Sequence, residues 1–468
     1  MTGAQARIII RNFFYLLGGR TFSKIVSFFL AIYIANKLGD VGLGQYSFIF
    51  SVVSLLFVIA DFGVNTHLFK RWSQDKRHIA DEYNLAFTLR FLLCCILFVI
   101  FAFYSLTVKE IFWPMIIAGL ATFLDMFRGF YGIYFSSYEK MGYMSFFDSL
   151  ERLLTVCLSA LALFLGYGLV GIMTAFLVSH IIIFVLGLIL VKVRFRPIVN
   201  MRGYKDLLKV SYPFLFITIF QIIYFRIDSI MLKYMVGYQT VGWYNAAYNI
   251  VNALNFVPYL FIIALFPAFA KLSVKDTGKR LMPLFNKAFQ YLAMLAVPAT
   301  VGIIVLSEKI IRTFYSAAFE PSIVALQILI VAEMFVFVNY LFGYLLNASG
   351  REMIFVKTTG GLALFNIAFN FVLIPYFSYK GAAIATVVTE LLNFIILYKV
   401  TRMEVSFRFL WKPVVASGLM AGGLLLLPDM HLALLILAGA AVYGAAMLVM
   451  RAITKEDLAT LMGAFKKG

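Results

Sequence analysis

Long apolar segments recur along the whole of this sequence and restrict its fold more than any other feature does. A helix that crosses a bilayer needs about 20 consecutive, mostly apolar residues. With 63% hydrophobic and 13% charged residues, the chain has too little polar surface to cover a soluble core. The sequence therefore predicts an all-α polytopic membrane protein with about fourteen transmembrane helices. The predicted spans are 12–36, 42–68, 84–106, 112–137, 143–166, 169–191, 207–235, 241–269, 284–306, 322–347, 353–376, 381–402, 410–427 and 431–450.

The first apolar segment is predicted to be a retained helix rather than a cleaved signal. Arg20 and Lys24 interrupt it, and no small-residue cleavage site follows a clean apolar core. The three cysteines all lie in apolar segments and lack the spacing of metal ligands. We therefore expect no disulfide, no metal site and no cofactor.

The basic residues indicate the orientation of the helices. Lys and Arg accumulate on the cytosolic loops of membrane proteins. With the N-terminus in the cytosol, most of the 40 Lys and Arg residues fall on cytosolic loops such as 70–77 and 192–209, and the outer loops hold few: Lys37, Lys109, Lys309, Arg312 and Lys380. This bias predicts a multi-pass protein of the plasma (inner) membrane with both termini in the cytosol. Contact between the basic loops and anionic membrane lipids accounts for the net charge of +18 without nucleic-acid binding.

An internal repeat relates the turn between the first two spans to the turn between spans seven and eight. The repeated residues are Gly39, Gly44, Tyr46, Ser47, Ser51 and Ser54 in the first copy, and Gly237, Gly242, Tyr244, Asn245, Asn249 and Asn252 in the second. A further match relates His180 to Glu390. We therefore predict an N-lobe at 1–195 (helices 1–6), a C-lobe at 196–403 (helices 7–12), and two extra helices with a cytosolic tail at 404–468. Two such lobes are typical of transporters, whose substrate site lies between the repeats.

Polar residues inside the spans indicate where a substrate could bind. Asn245, Asn249 and Asn252 share one helix face, and a water-filled cavity or helix–helix hydrogen bonding would each account for them. Arg20 and Lys24 lie one turn apart in span one, and Arg226 lies beyond the middle of span seven. Basic residues are costly at that depth. The alternative is that these basic side chains extend to the membrane surface instead of binding a substrate, and this alternative is weak for Lys24 at its depth.

Buried acidic residues are candidates for ion coupling. Asp61, Glu333 and Glu390 have no basic residue within one turn of their own helix. A buried carboxyl group can exchange protons, although a base from another helix could also pair with each of them.

The other charges inside the spans are predicted to have structural roles. Asp125 with Arg128, and Asp148 with Arg152, have the spacing for ion pairs within one helix. Arg90 is expected to extend to the cytosol.

Several stretches carry a resemblance to a known family. Leu38 to Tyr46 and Asp61 to Val64 resemble polysaccharide (O-antigen type) flippases, as do 226–232 and 241–248. These flippases belong to the multidrug/oligosaccharidyl-lipid/polysaccharide exporter superfamily. The resemblance covers about residues 10–403 and implies two six-helix lobes with a cationic central cavity, which Arg20, Lys24 and Arg226 could supply. It also implies alternating-access transfer of a polyprenyl-pyrophosphate-linked oligosaccharide to the outer leaflet.

Two other functions are compatible with the sequence. An ion-coupled multidrug-type exporter of the same superfamily would favour a carboxylate-lined cavity, whereas the central charges of span one are basic. A membrane-embedded glycosyltransferase or polymerase would need a large outer loop or an acidic metal motif, and the sequence has neither. We therefore predict a transporter, not an enzyme. The expected partners are a lipid-linked glycan, H⁺ or Na⁺, and other membrane proteins of polysaccharide assembly.

Overall fold

The computed structural model describes residues 3–191, 193, 196–262, 265, 269, 281–427 and 430–452. The side chains of residues 3–17, 19, 20 and 352 lie outside this description. Within the described residues the chain forms no strand, and fourteen of its α-helices have both ends described. The helices are α1 (Gly3–Asp61), α2 (Val64–Gln74), α3 (Ile79–Ser105), α4 (Phe112–Ser137), α5 (Met141–Phe164), α6 (Gly168–Leu190), α7 (Met201–Met235), α8 (Tyr238–Leu254), α9 (Leu281–Phe314), α10 (Ser322–Ala348), α11 (Glu352–Phe377), α12 (Tyr379–Thr401), α13 (Trp411–Leu425) and α14 (Leu432–Val449).

Ten helical segments of the described chain are long and apolar enough to cross a bilayer. This confirms the predicted all-α polytopic membrane class. The ten segments do not correspond one to one to the fourteen predicted spans. Spans one and two share the 41-residue segment Thr21–Asp61, α5 carries charges at its centre, and α8 and α13 are only 17 and 15 residues long.

Gly39 divides α1 at the predicted boundary between the first two spans. Its φ of 71° is a left-handed conformation that side-chain-bearing residues rarely adopt. The chain kinks there and then continues as a helix to Asp61. The repeat motif therefore begins at a bend in one long helix and not at an open loop.

A second helix break corrects the predicted span 42–68. The helix ends at Asp61, because Phe62 and Gly63 both have positive φ, and α2 then starts at Val64. A Cβ atom on Gly63 would lie 2.7 Å from the backbone carbonyl oxygen of Ser211 in α7. Close packing against α7 therefore accounts for the glycine.

The short helix α2 has one apolar and one basic face. Leu68 and Trp72 are buried, whereas Lys70 and Arg71 are exposed. An amphipathic helix of this kind is suited to the membrane surface rather than to a span.

In the loop that follows α2, hydrogen bonds from the Arg77 side chain hold the pKa of Asp75 at about 2.

The chain divides into two compact units. The first contains Met1–Asn249 and Thr359–Tyr379, and the second contains Ile250–Thr358 and Lys380–Gly468. Aromatic and aliphatic side chains fill the cores of both units, around Phe130 and Phe48 in the first and Phe285 in the second. The lobe boundaries expected from the repeat stay a prediction.

Candidate functional site

The two repeat-related turns contact each other through their backbones in the first unit. A Cβ atom on Gly44 would lie 1.9 Å from the carbonyl oxygen of Tyr238, and one on Gly242 would lie 2.0 Å from that of Asp40. The two contacts are reciprocal, because Gly242 is the repeat partner of Gly44. Both positions therefore require glycine for the backbones to approach.

Asp40 fixes this contact with its side chain. One carboxylate oxygen accepts hydrogen bonds from the Trp243 indole at 3.0 Å and the Gln239 amide at 2.8 Å. The other accepts from the backbone N–H of Val41 at 2.8 Å. The turn after α7 is thereby attached to the bend in α1, and this attachment positions the helices that carry the basic residues.

Three basic residues lie deep within the helices of the first unit. At 1.5 Å per residue, Lys24 is about 22 Å from the bend at Gly39, and Arg226 is about 14 Å from the end of α7. Arg152 is near the middle of α5. Lys24 and Arg226 are exposed, and the Arg152 side chain is 34% exposed. A hydrocarbon core is about 30 Å thick, and a charge at this depth would be costly in lipid.

Tyr46 lies within electrostatic range of two of these cations. Arg152 and Arg226 are both within that range of its hydroxyl group, as is the carboxylate of Glu151. Tyr46 belongs to the repeat motif and packs on Phe50, with ring centroids 4.7 Å apart. Of the predicted cationic residues, Arg226 therefore lies within electrostatic range of Tyr46, as Arg152 does, and its substrate-binding role stays a prediction. Lys24 is exposed on the same unit, and the Arg20 side chain lies outside the described residues.

Arg152 is the functional candidate that the sequence analysis missed. The predicted ion pair between Asp148 and Arg152 is wrong, because Asp148 pairs with Arg128 of α4 instead. Arg152 is 3.9 Å from Glu151, and its buried Nε has no hydrogen-bond partner. The position of Arg152 at the centre of a span indicated a functional role. The carboxylates near it in sequence favoured a structural ion pair instead.

A larger network of charges surrounds Arg152. The predicted pair Asp125–Arg128 is confirmed at 2.6 Å, and His180 of α6 approaches Asp125 at 3.2 Å. Glu151 accepts a hydrogen bond from Thr155 at 2.9 Å. Helices α4, α5 and α6 are therefore joined by charges inside the N-terminal part of the chain.

Arg90 and Asp61 form a second buried pair, which corrects two predictions. Arg90 does not extend to the cytosol, because it is 2% exposed and lies 2.6 Å from Asp61. It also donates to Asn65 at 2.9 Å and to the backbone carbonyl of Met126 at 2.9 Å, and it stacks on Phe130 at 4.9 Å. Asp61 therefore has a base from another helix, and its role in ion coupling stays a prediction.

The predicted asparagine stripe is partly used in packing. Asn245 is buried, and its amide donates to the Ser229 hydroxyl at 3.0 Å and to the Val241 carbonyl at 2.9 Å. Asn249 is half-buried, and Asn252 is half-buried and accepts from Asn255 at 3.4 Å. Helix–helix hydrogen bonding accounts for Asn245. The substrate-binding role of the stripe stays a prediction.

Asp228 forms a polar cluster that the sequence pattern did not reveal. As expected, it points to a different face from Arg226, because it is buried where Arg226 is exposed. It accepts hydrogen bonds from the Tyr244 hydroxyl at 2.6 Å and the Asn370 amide at 2.7 Å. Asn370 is distant in sequence, so only the folded chain brings these groups together.

The two acidic candidates of the second unit are both buried. Glu390 is 5% exposed and accepts from the amide of Asn339 at 2.8 Å, and Glu333 is 4% exposed. Their predicted coupling role remains untested. Among the residues that the structure describes, no group of three or more His, Cys, Asp or Glu side chains could hold a metal ion.

Comparison with known proteins fixes the family. Residues 9–273, more than half of the chain, match the family described as polysaccharide biosynthesis protein. The chain belongs to the polysaccharide biosynthesis protein family. The resemblance noted from the sequence is therefore confirmed.

Relatives and solved structures extend this comparison. The chain is 28% identical to the lipopolysaccharide biosynthesis protein WzxC of Escherichia coli over 41% of its own length and 37% of WzxC. It is 23% identical to the probable low-salt glycan biosynthesis flippase Agl15 of Haloferax volcanii, over 42% of its length and 43% of Agl15. The alignments span about a third to a half of the curated relatives' lengths.

The fold itself has a solved counterpart. The chain matches the lipid II flippase MurJ in its inward closed conformation with a TM-score of 0.78. The match covers 93% of this chain and 98% of MurJ at 16% identity. At that identity the likeness shows a common fold.

Proposed function

We propose that this member of the polysaccharide biosynthesis protein family is a flippase. In this proposal it moves a polyprenyl-pyrophosphate-linked oligosaccharide from the inner to the outer leaflet by alternating access. The observation that carries the proposal is the exposure of Lys24 and Arg226, with Arg152 partly exposed, at depths where lipid would exclude a charge. The names of the curated relatives, which include a probable glycan biosynthesis flippase, support the same class.

The chemistry of the substrate explains why cations are useful there. A glycan head group is large and polar, and its pyrophosphate is anionic, so hydrocarbon opposes its passage strongly. Basic side chains offset the cost of removing the pyrophosphate from water. Lys24 and Arg226 are proposed to serve this purpose with Arg20, and Arg152 joins them on structural grounds. Asn245, Asn249 and Asn252 remain proposed contacts to the sugar.

The basic character of the site argues against the second candidate. A multidrug-type exporter of organic cations would bind its substrate with carboxylates, and the exposed central charges named here are basic. For an anionic head group, we propose that an H⁺ or Na⁺ gradient drives transport, with Glu390, Glu333 and Asp61 as the coupling candidates. Asp61 ranks last among them, because Arg90 already neutralises it.

A direct transport assay tests the proposed function. The purified protein, reconstituted in vesicles with a fluorescent polyprenyl-pyrophosphate oligosaccharide, is expected to expose the lipid to an impermeant glycan-cleaving enzyme faster than protein-free vesicles do. A cell that lacks the protein is expected to accumulate the lipid-linked glycan, which mass spectrometry would identify. Transport of organic cations without any transfer of the glycolipid would contradict the proposal.

The proposed location is the plasma (inner) membrane, with both termini in the cytosol. A cysteine introduced into Lys70–Arg77 or Lys192–Lys209 is expected to resist an impermeant thiol reagent in intact cells and to react after lysis. The reason is the accumulation of Lys and Arg on these loops. A cysteine beside Lys109 is the matched control and should react in intact cells. Labelling of either basic loop from outside would overturn the orientation.

A further inference from the structure

His180 lies in a network of titratable groups of which the proposed transport function uses only Arg152. It is 2% exposed and sits between two carboxylates, with Nε2 at 3.2 Å from Asp125 of α4 and 3.9 Å from Glu151 of α5. Glu151 is also buried, at 4% exposure. The other charged groups of the network are Arg128, Asp148 and Arg152, and the Tyr46 hydroxyl lies near it on α1.

Both ring nitrogens of His180 face hydrogen-bond acceptors. Nδ1 is 2.7 Å from the backbone carbonyl of Phe176, so it must carry a proton. Nε2 faces the carboxylate of Asp125. A neutral imidazole has only one N–H, and this geometry therefore requires one more proton, either on Nε2 or on the facing carboxyl group.

The charge count of the network agrees with this requirement. Three carboxylates and two guanidinium groups leave one negative charge when the imidazole is neutral. One added proton makes the network neutral. A net charge is costly in a buried site, so the proton stabilises the packing of α4, α5 and α6.

Arg152 connects this network to the cationic site. Its guanidinium is 3.9 Å from Glu151, its side chain is 34% exposed, and Tyr46 lies within electrostatic range of both Arg152 and Arg226. When His180 is deprotonated, the excess negative charge lies next to Arg152 and opposes an incoming anion. When His180 is protonated, that opposition is removed.

We propose that His180 and Asp125 form a proton-binding site that is linked to anion binding at Arg152. This inference rests on the proposed function, because it assumes an anionic head group at the cationic site. In the linked step, a hydronium ion loses one O–H bond and becomes water, its proton forms an N–H bond at Nε2, and this N–H donates a hydrogen bond to Asp125. Asp125 and Arg128 are 24% and 26% exposed, so they give water access to the buried ring.

Linkage predicts that anion binding is accompanied by proton uptake. The probe is farnesyl pyrophosphate, titrated calorimetrically into the purified full-length protein in buffers of different ionisation enthalpy. For one linked proton, the affinity is expected to fall by up to about tenfold per pH unit as the pH rises through the deprotonation of His180. The His180→Gln variant is expected to lose this dependence of affinity on pH. Any change of its affinity with pH should come only from the titration of the pyrophosphate of the probe.

Two further variants complete the test. His431→Gln removes an exposed histidine on another segment, and it should keep both the pH dependence of probe affinity and the proton uptake of the parent. Asp125→Asn should reduce proton uptake as His180→Gln does, and it serves as the second variant if His180→Gln does not fold. A purely structural role for His180 would change stability without changing the number of protons taken up.

The outcomes separate this inference from the proposed function. Binding of the probe with equal proton uptake in the parent and in both variants would overturn the proton site and leave the cationic site intact. Failure of the probe to bind the folded parent at any pH would overturn the cationic site, and the linkage with it. Binding in all proteins, with proton uptake lost only in His180→Gln and Asp125→Asn, would support the inference.

Discussion

Replacing Gly242 with alanine is expected to prevent accumulation of the folded protein. The new Cβ would lie 2.0 Å from the carbonyl oxygen of Asp40, and both partners belong to helix backbone that cannot move aside alone. Overpacking typically costs about 1–3 kcal/mol and occasionally more, and here the turn must separate, with loss of the Asp40–Trp243 hydrogen bond. Gly44→Ala should behave in the same way, because its Cβ would meet Tyr238 at 1.9 Å. Size-exclusion chromatography and thermal unfolding in detergent measure the effect.

Gly361→Ala is the matched control for these variants. It also lies in a helix of the first unit, but a Cβ there has no atom within 4 Å. Alanine in a helix interior is more favourable than glycine by about 0.5–1 kcal/mol, so this variant should be as stable as the parent or more so. Equal stability of Gly242→Ala and Gly361→Ala would show that the contact between the repeat-related turns is not needed.

Removal of both Arg20 and Lys24 is expected to abolish glycan export while leaving insertion intact. A hydrogen bond to a charged group contributes about 1.5–3 kcal/mol, so each alanine should lower transfer by roughly 10- to 100-fold. Lys24→Arg should retain part of the activity, because a mobile pyrophosphate responds to charge more than to shape. Surface glycan and accumulated lipid-linked glycan, measured at matched expression, report the result.

Lys37→Ala provides the comparison on the same helix. Lys37 is exposed two residues before the bend at Gly39, near the predicted end of span one, where a charge is easily solvated. Its removal should leave export unchanged. Normal export by the Arg20→Ala, Lys24→Ala double variant would contradict the role of these residues in substrate binding, and it would direct attention to Arg152 and Arg226.

The membrane class and the family could be predicted from the sequence because they depend on local patterns. The length of an apolar segment and the number of basic residues in a loop can each be read from one stretch of sequence, because the bilayer constrains every helix and loop separately. The bend at Gly39 was likewise visible as a motif, since a glycine repeated at the same offset in both halves marks a backbone requirement. The break at Phe62 and Gly63 was not, because the apolar pattern continues through it.

The partners of the buried charges were decided by the tertiary structure alone. Arg90 was expected to reach the cytosol, yet it pairs with Asp61 from another helix, and Asp148 pairs with Arg128 rather than with Arg152. Sequence spacing finds pairs on one helix, whereas a buried charge selects whichever opposite charge packing brings nearest. The sequence by itself thus determined that charges lie within the membrane spans. Only the packing of α4, α5 and α6 decided that Asp148 pairs with Arg128 and that His180 faces two carboxylates.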